Sequence, residues 1–286
     1  RENSEVLRKP FNSGYFDHGK YRVVAINRKE KTIIPSGYDE IQAGDIVYFI
    51  TMKQNVDFVR EQAGKALFQV KNAMIMGGSR IAQKTIQYLP NNINTKMLER
   101  DKEKCYFLAE RLNNTLIINA DGRNVDALRS EGIQEIDAFV ATTANSEANI
   151  LACLEAKRLG VKKTVAEVEN IDYIQLAEDL DIGTVINKKM IAASYIYQLT
   201  LDADVLEVRS LTSADAEVVE FVAKEGSKIT KSQIKSIRLP ENVNIGGIVR
   251  DGVGSIVYGN TQILPNDHVI VFCISSAIRK VETLFN

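Results

Sequence analysis

No stretch of the chain approaches the roughly 20 consecutive apolar residues that a membrane-spanning helix requires, so the sequence predicts none. An excess of one charge is also missing. Thirty-six Lys and Arg face thirty-seven Asp and Glu, for a formal net charge of -1. Phosphate-driven binding of nucleic acid calls for a basic excess, and that class is set aside. Histidine is scarce: His18 falls in an expected loop and His268 at the start of an expected strand. The two lack metal-ligand spacing, and neither forms a nucleophile–base arrangement with Ser or Cys. No G-x-x-x-x-G-K-S/T loop is present to support ATP hydrolysis. Cys105, Cys153 and Cys273 lie far apart in apolar settings, with no C-x-x-C pair. They are expected to be reduced core thiols of a cytosolic protein. The N-terminal RENSEVLRKPF is polar and lacks the apolar core of a signal peptide. Asp101, Glu103, Glu110 and Glu131 are interspersed with Lys and Arg, the pattern of solvated helix faces rather than paired catalytic carboxylates. Together these absences predict a protein that is not an enzyme.

What is present begins with a repeat. VVAINRKEKTIIPSGYDEIQAGDIVYFI from Val23 aligns without gaps on IGGIVRDGVGSIVYGNTQILPNDHVIVF from Ile245, a constant offset of 222 residues. Identities fall at Ile26/Ile248, Arg28/Arg250, Gly37/Gly259, Ile41/Ile263, Asp45/Asp267 and Val47/Val269. Each copy passes through a polar turn, Gly44-Asp45 or Asn266-Asp267, into an apolar run that predicts a buried strand. The offset is much longer than the stretch preceding the first copy. The chain is therefore expected to be the C-terminal fragment of a longer tandem protein whose first central unit lies upstream.

Between the copies, strand and helix patterns alternate. Strands are expected at NAMIM (72–76), TKMLER (95–100), TLIINA (115–120), AFVATT (138–143), KKTVAEV (162–168) and TVIN (184–187). In DKEKCYFLAERL, Cys105, Leu108, Ala109 and Leu112 form a helical apolar stripe. A further helix is expected from Asn145 or Ser146 to a stop at Gly160, and an amphipathic helix runs from Lys188 to about Leu201. About six βα steps imply a Rossmann-like, doubly wound parallel sheet (67–200). It is flanked by two smaller α/β domains, a shortened one at 1–66 and another at 201–286.

The first strand runs into Gly77-Gly78-Ser79-Arg80-Ile81-Ala82. The dinucleotide fingerprint G-x-G-x-x-G/A needs its first Gly for a tight turn and a small third residue for packing; Gly77 and Ala82 supply these. Ser79 departs from the second Gly: its Cβ crowds a phosphate, although its hydroxyl can donate to one. Arg80 adds a charge, and the helix N-terminus behind the loop offers free N–H groups to an anion. Glu99 closes the second strand 22 residues after Gly77, close to the position of the acid that accepts ribose hydroxyls. That carboxylate favours NAD or an adenine nucleotide over NADP. A Rossmann unit that has lost its ligand stays open as the alternative.

GGSRIA (77–82), LERDKEKCYFLAERL (98–112), INADGRNVDALRSEGI (118–133) and DAFVATTANSEANILACLEAKRLGVKKTVAEV (137–168) resemble the N-terminal lobe of the domains that regulate potassium conductance, the RCK family. RDG…GNTQILPNDHVIVF resembles the family's C-terminal lobe, and so does 1–66. The resemblance implies a regulatory subunit that lies peripherally on the cytoplasmic face of the membrane without inserting into it. Such subunits assemble as homo-oligomers, dimers or larger rings, under a membrane potassium transporter. A nucleotide, NAD(H) or ATP/ADP, gates the ion flux. The resemblance places the phosphates at Gly77, Gly78, Ser79, Arg80 and Ile81 and the ribose at Glu99. Asp121 matches the acid of a GDG-like motif near the adenine, although Ala120 replaces its first Gly. Thr142 and Thr143 match positions near the bound nucleotide. The departures at Ser79 and Ala120 favour the rival reading, a structural or oligomerisation module with a degenerate site. An NAD-dependent oxidoreductase, which needs an acid or base near its substrate, is less favoured.

Overall fold

The computed structural model describes residues 4–16, 19–29, 31–65, 68–201, 205–211 and 215–286. His18 and the boundary expected at residues 66–67 lie outside them. The chain forms two compact units, Phe68–Lys189 and a second made of Arg1–Leu67 with Met190–Asn286.

In the second unit, β1 (Tyr21–Arg28), β2 (Lys31–Ile33) and β3 (Ile46–Thr51) form an antiparallel sheet in the order β2-β1-β3, and α1 (Val56–Gln62) follows. The other unit carries β4 (Asn72–Met76), α2 (Arg80–Tyr88), β5 (Asn94–Glu99), α3 (Lys102–Arg111), β6 (Thr115–Asn119), α4 (Val125–Ser130), β7 (Ala138–Ala141), α5 (Ser146–Arg158), β8 (Lys163–Glu167), α6 (Asp172–Asp179) and β9 (Thr184–Ile186). Its six strands are parallel, in the order β6-β5-β4-β7-β8-β9. Then come α7 (Lys188–Gln198), β10 (Val205–Ser210), β11 (Glu217–Val222), β12 (Val243–Arg250), β13 (Val253–Ile256), β14 (His268–Cys273) and α8 (Ile278–Phe285). These strands form one sheet, β10-β11-β14-β12-β13.

The local chemistry behind the parallel sheet is conventional. Asn145 caps α5 by accepting the Ala148 N–H. Gly160, at φ +102°, closes the helix while the Val161 N–H returns to the Ala156 carbonyl. In α3, Cys105, Leu108 and Leu112 are buried, but Ala109, expected on the same stripe, faces solvent. The buried sector is narrow because α3 lies over the outer strands β5 and β6. From the sequence alone α7 belongs to the central domain, which is expected to end at residue 200. In the structure, α7 from Met190 groups with the outer segments, and Tyr197 and Leu201 pack against their core.

The repeat is structural. β1 and β12, β2 and β13, β3 and β14, and α1 and α8 each begin at the 222-residue offset. Both long strands carry a bulge at the matching place, Val23/Ala25 and Ile245/Gly247. Arg28 donates Nε and Nη2 to Asp45 at 2.9 and 2.8 Å and Nη2 to the Glu40 carbonyl at 2.7 Å. Arg250 does the same to Asp267 at 2.7 and 2.6 Å and to the Gln262 carbonyl at 3.0 Å. Each aspartate also accepts the N–H of the residue three before it, Gln42 or Leu264. One bidentate pair thus ties the turn to the long strand in each copy. The copies also touch: Arg22 Nη1 donates to the carbonyls of Val257 at 2.9 Å and Ile245 at 3.4 Å.

Candidate functional site

In an open parallel sheet, the strand order reverses at one point and leaves a crevice beyond the carboxyl ends of the strands. Here the reversal lies between β4 and β7. A cleft of about 410 Å³ opens there, lined by the residues that follow β4, β5, β6 and β7.

The loop after β4 opens with two glycines because neighbouring elements leave no room for a Cβ. Gly77 sits at φ +93°, and a Cβ there would lie 2.9 Å from Thr143 Cγ2. A Cβ on Gly78 would lie 2.4 Å from Leu108 Cδ1 and 3.1 Å from Glu99 Oε2. Ser79 is the N-cap of α2, its Oγ accepting the Ala82 N–H at 3.1 Å. The hydroxyl thus acts first as a helix cap and keeps its proton to donate. The N–H groups of Ser79, Arg80 and Ile81 have no backbone partner among the described residues, as the first turn of a helix dictates. Arg80 and Ile81 are exposed, and neither is among the residues lining the cleft.

Glu99 ends β5 with its carboxylate buried at the cleft floor. Oε2 accepts the Gly78 N–H at 3.0 Å and Lys104 Nζ at 2.6 Å, and Oε1 accepts the Asp101 N–H at 3.1 Å. Burial alone would raise this carboxyl, but the bonds from Lys104, Asp101 and Gly78 outweigh it and hold the group below the usual carboxylate range. Asp121, just past β6, pairs with Arg123, whose Nε lies 2.9 and 3.1 Å from the two oxygens. That guanidinium brings the Asp121 carboxyl down to about 2. Ala120 is half-buried on the cleft wall, whereas Gly122 is where a Cβ would collide, 2.5 Å from Met76 Cγ. The departure in the Ala120-Asp121-Gly122 motif therefore spares the glycine that packing requires.

Thr142 and Thr143 follow β7 and line the opposite wall. Thr143 donates its N–H and Oγ1 to Asn149 Oδ1 at 3.1 and 2.6 Å. Asn149, fully buried, returns Nδ2 to the carbonyls of Thr143 and Glu167. It pins the β7 loop to β8. The cleft thus brings together Gly77, Gly78, Ser79, Glu99, Asp121, Thr142 and Thr143. Sequence reasoning does not find Lys104, Arg100, Arg123 or Asn149. The available signals were a lysine one turn into the helix after Glu99 and an asparagine on an otherwise apolar helix face.

Away from the cleft, His268 bonds Glu220 across β11 and β14 at 2.9 Å. The three cysteines are free and buried, and burial pushes the Cys153 and Cys273 thiols up to about 12. Among the described residues no cluster has the makings of a metal site. No helix among them is long and apolar enough to cross a membrane.

Comparison with known proteins adds a family. The TrkA-N domain family matches residues 73–188, and the TrkA-C domain family matches 1–64 and 218–286. The Trk system potassium uptake protein TrkA of Halomonas elongata is 31% identical over 92% of this chain, which spans 59% of that protein. The protein of the same name from Vibrio alginolyticus is 30% identical over 95% of the chain and 60% of its own length. The chain thus spans about three-fifths of the curated relatives it matches, and they are named for potassium uptake rather than for a catalysed reaction. A crystal structure of the GsuK RCK domain superposes over 99% of this chain and 61% of its own, with a TM-score of 0.50 and 14% identity, a likeness of fold. With one TrkA-N domain set between two TrkA-C matches, the chain belongs to the TrkA family.

Proposed function

We propose that this chain is part of a regulatory subunit of a potassium uptake system, acting on a membrane potassium transporter of the Trk type. Its Rossmann-like unit senses an adenine nucleotide, with NAD(H) favoured and ATP or ADP as the other candidates. Residues 1–66, 67–200 and 201–286 serve as C-lobe, nucleotide lobe with its crossover helix, and C-lobe, the crossover helix α7 packing from Met190 onward with the C-lobes. The observation that carries the reading is the buried Glu99 carboxylate at the cleft floor. It sits beside a glycine loop that opens on three backbone N–H groups without backbone partners among the described residues. The loop and N–H groups suit phosphates, Glu99 suits ribose, and Asp121 with Arg123 borders the adenine end. Arg80 and Ile81 contribute through their backbone.

A sensor needs only unequal affinity for two conformations, and a tenfold preference shifts their balance by about 1.4 kcal/mol. Nucleotide binding shifts that balance in a homo-oligomer, a dimer or larger ring, on the cytoplasmic face of the membrane, and the transporter responds. The alternative, an oligomerisation module with an inert cleft, is favoured by Ser79 and Ala120. Calorimetric titration with NADH, NAD, ATP and ADP decides. Saturable binding in the native chain that is lost in Glu99→Ala supports the sensor. No heat and no thermal shift with any of the four leaves the inert module.

A further inference from the structure

Glu99 is already engaged. A carboxylate offers about four lone-pair positions, and three are taken by the Gly78 N–H, the Asp101 N–H and Lys104 Nζ. The vicinal hydroxyls of a ribose need two. Of the three donors, two are backbone groups fixed by the loop and by the start of α3. The third is the end of a flexible side chain that is 41% exposed, against 8% for Glu99. Only Lys104 can leave without unfolding anything.

We propose that Lys104 is an internal competitor for the nucleotide: its ammonium occupies the ribose acceptor in the unliganded cleft and must be displaced when ribose binds. This rests on the nucleotide reading of the cleft. Two consequences follow from charge. The latch makes binding weaker than the site's geometry alone would give, because the ammonium–carboxylate ion pair has to be broken before the ribose hydroxyls can bond the carboxylate. It also blunts selectivity. A bare buried carboxylate repels a 2′-phosphate, but a carboxylate paired with an ammonium does so much less, and the displaced ammonium stays beside the 2′ position. Arg100 and Arg123 line the same cleft and add positive charge. Lys104 is thus a specificity-setting residue, and the native chain accepts NADPH more readily than its acidic β5 terminus suggests.

The test is calorimetric titration of the native chain, Lys104→Met, Lys104→Gln, Lys104→Arg and Glu99→Ala with NADH and NADPH, after thermal melts show which variants fold. Met and Gln both keep much of the stem that packs near Gly78, so either can stand if the other does not fold. Removing the ammonium is expected to tighten NADH binding by about threefold or more, the scale of one ion-pair hydrogen bond weakened by solvent exposure. The NADPH-to-NADH Kd ratio is expected to rise by about tenfold, the scale of losing one neighbouring charge. Lys104→Arg keeps the charge and is expected to hold the native ratio. Weaker NADH binding in Met and Gln would make Lys104 a direct ligand contact and overturn the competitor. An unchanged ratio would overturn it as well. Those outcomes leave the site standing so long as Glu99→Ala abolishes binding. Equal NADH binding by the native chain and Glu99→Ala would instead overturn the cleft reading and the competitor with it.

Discussion

The two TrkA-C copies hold the same ion pair on the same strands but differ in depth. β14 lies between β11 and β12 in a five-stranded sheet and alternates half-buried and buried residues, with its last three buried. Among the described residues β3 pairs with β1 alone, and none of its residues is fully buried. Their cores differ in kind. Around Val23 and Ile26 the first copy packs edge-to-face aromatics, with Phe11 4.9 Å from Phe16 and Tyr21 5.3 Å from Phe49. The second copy is aliphatic around a stacked Phe221–Phe285 pair at 4.5 Å. The hairpin turn and its Arg–Asp clamp set strand geometry and tolerate little change. The space behind the sheet can be filled in more than one way provided the volume is matched. One exchange outside both cores follows the same rule: Val24 and Ile50 in the first copy correspond to Gly246 and Phe272 in the second, small where the other is large.

The largest expected effect breaks the second core alone. Phe285→Ala removes a ring that is 1% exposed and stacked on Phe221. A loss of about 3–5 kcal/mol is expected in denaturant unfolding. The first copy has Ala63 at the matching position and no counterpart to lose. Next, Asp45→Ala and Asp267→Ala each strip one partly exposed arginine and one backbone N–H of a buried acceptor. Each should cost about 2–3 kcal/mol, and a gap between them above about 1.5 kcal/mol would mean the two clamps are not equivalent. Asp267 also carries a sign in pH. Burial opposes its charge, but the bonds from Arg250 and the Leu264 N–H prevail and hold its carboxyl low. Its contribution is therefore present above the ordinary carboxylate value and fades as pH falls through its folded one. Urea midpoints between about pH 5 and pH 2 should fall less steeply in Asp267→Asn than in the native chain. The smallest effect sharpens the volume argument. Gly246→Val copies Val24, but a Cβ there lies 2.7 Å from Phe272 Cε2 and 3.2 Å from Ile50 Cδ1. A loss of about 1–3 kcal/mol is expected, and adding Phe272→Ile should restore at least about 1 kcal/mol of it. Additive losses in the double variant would show that the two positions do not compensate.

Much of this was legible in the chain because the signals were local. Six alternating strand and helix patterns, with Asn145 and Gly160 as punctuation, read directly as the parallel sheet and its α5. The 222-residue offset paired the two copies, and the apolar runs after Asp45 and Asp267 were read as buried strands; β14 bears this out, whereas β3, with a single sheet neighbour among the described residues, is at most half-buried. The residues of the cleft were found to the extent that backbone geometry demands them: Gly77 for a positive φ, Glu99 for the end of its strand. Asn149 and Lys104 escaped because their roles depend on what the fold brings against them. The Arg80 side chain is not part of the cleft lining, and loop spacing does not tell which way a side chain at a helix start points. The insertion of β14 between β11 and β12 joins segments about 50 residues apart, and no local pattern encodes it.

By itself, then, the amino-acid order determined the element types, the duplication, the glycine loop and the acid at the end of β5, all of which follow from short-range sterics and periodicity. Only the tertiary structure decided the rest: which glycines have no room for a Cβ, where Met190 onward packs, and that the Glu99 carboxylate is held by an ammonium. Those outcomes depend on distances between groups far apart along the chain or on different elements, and such distances exist only once the sheets are assembled.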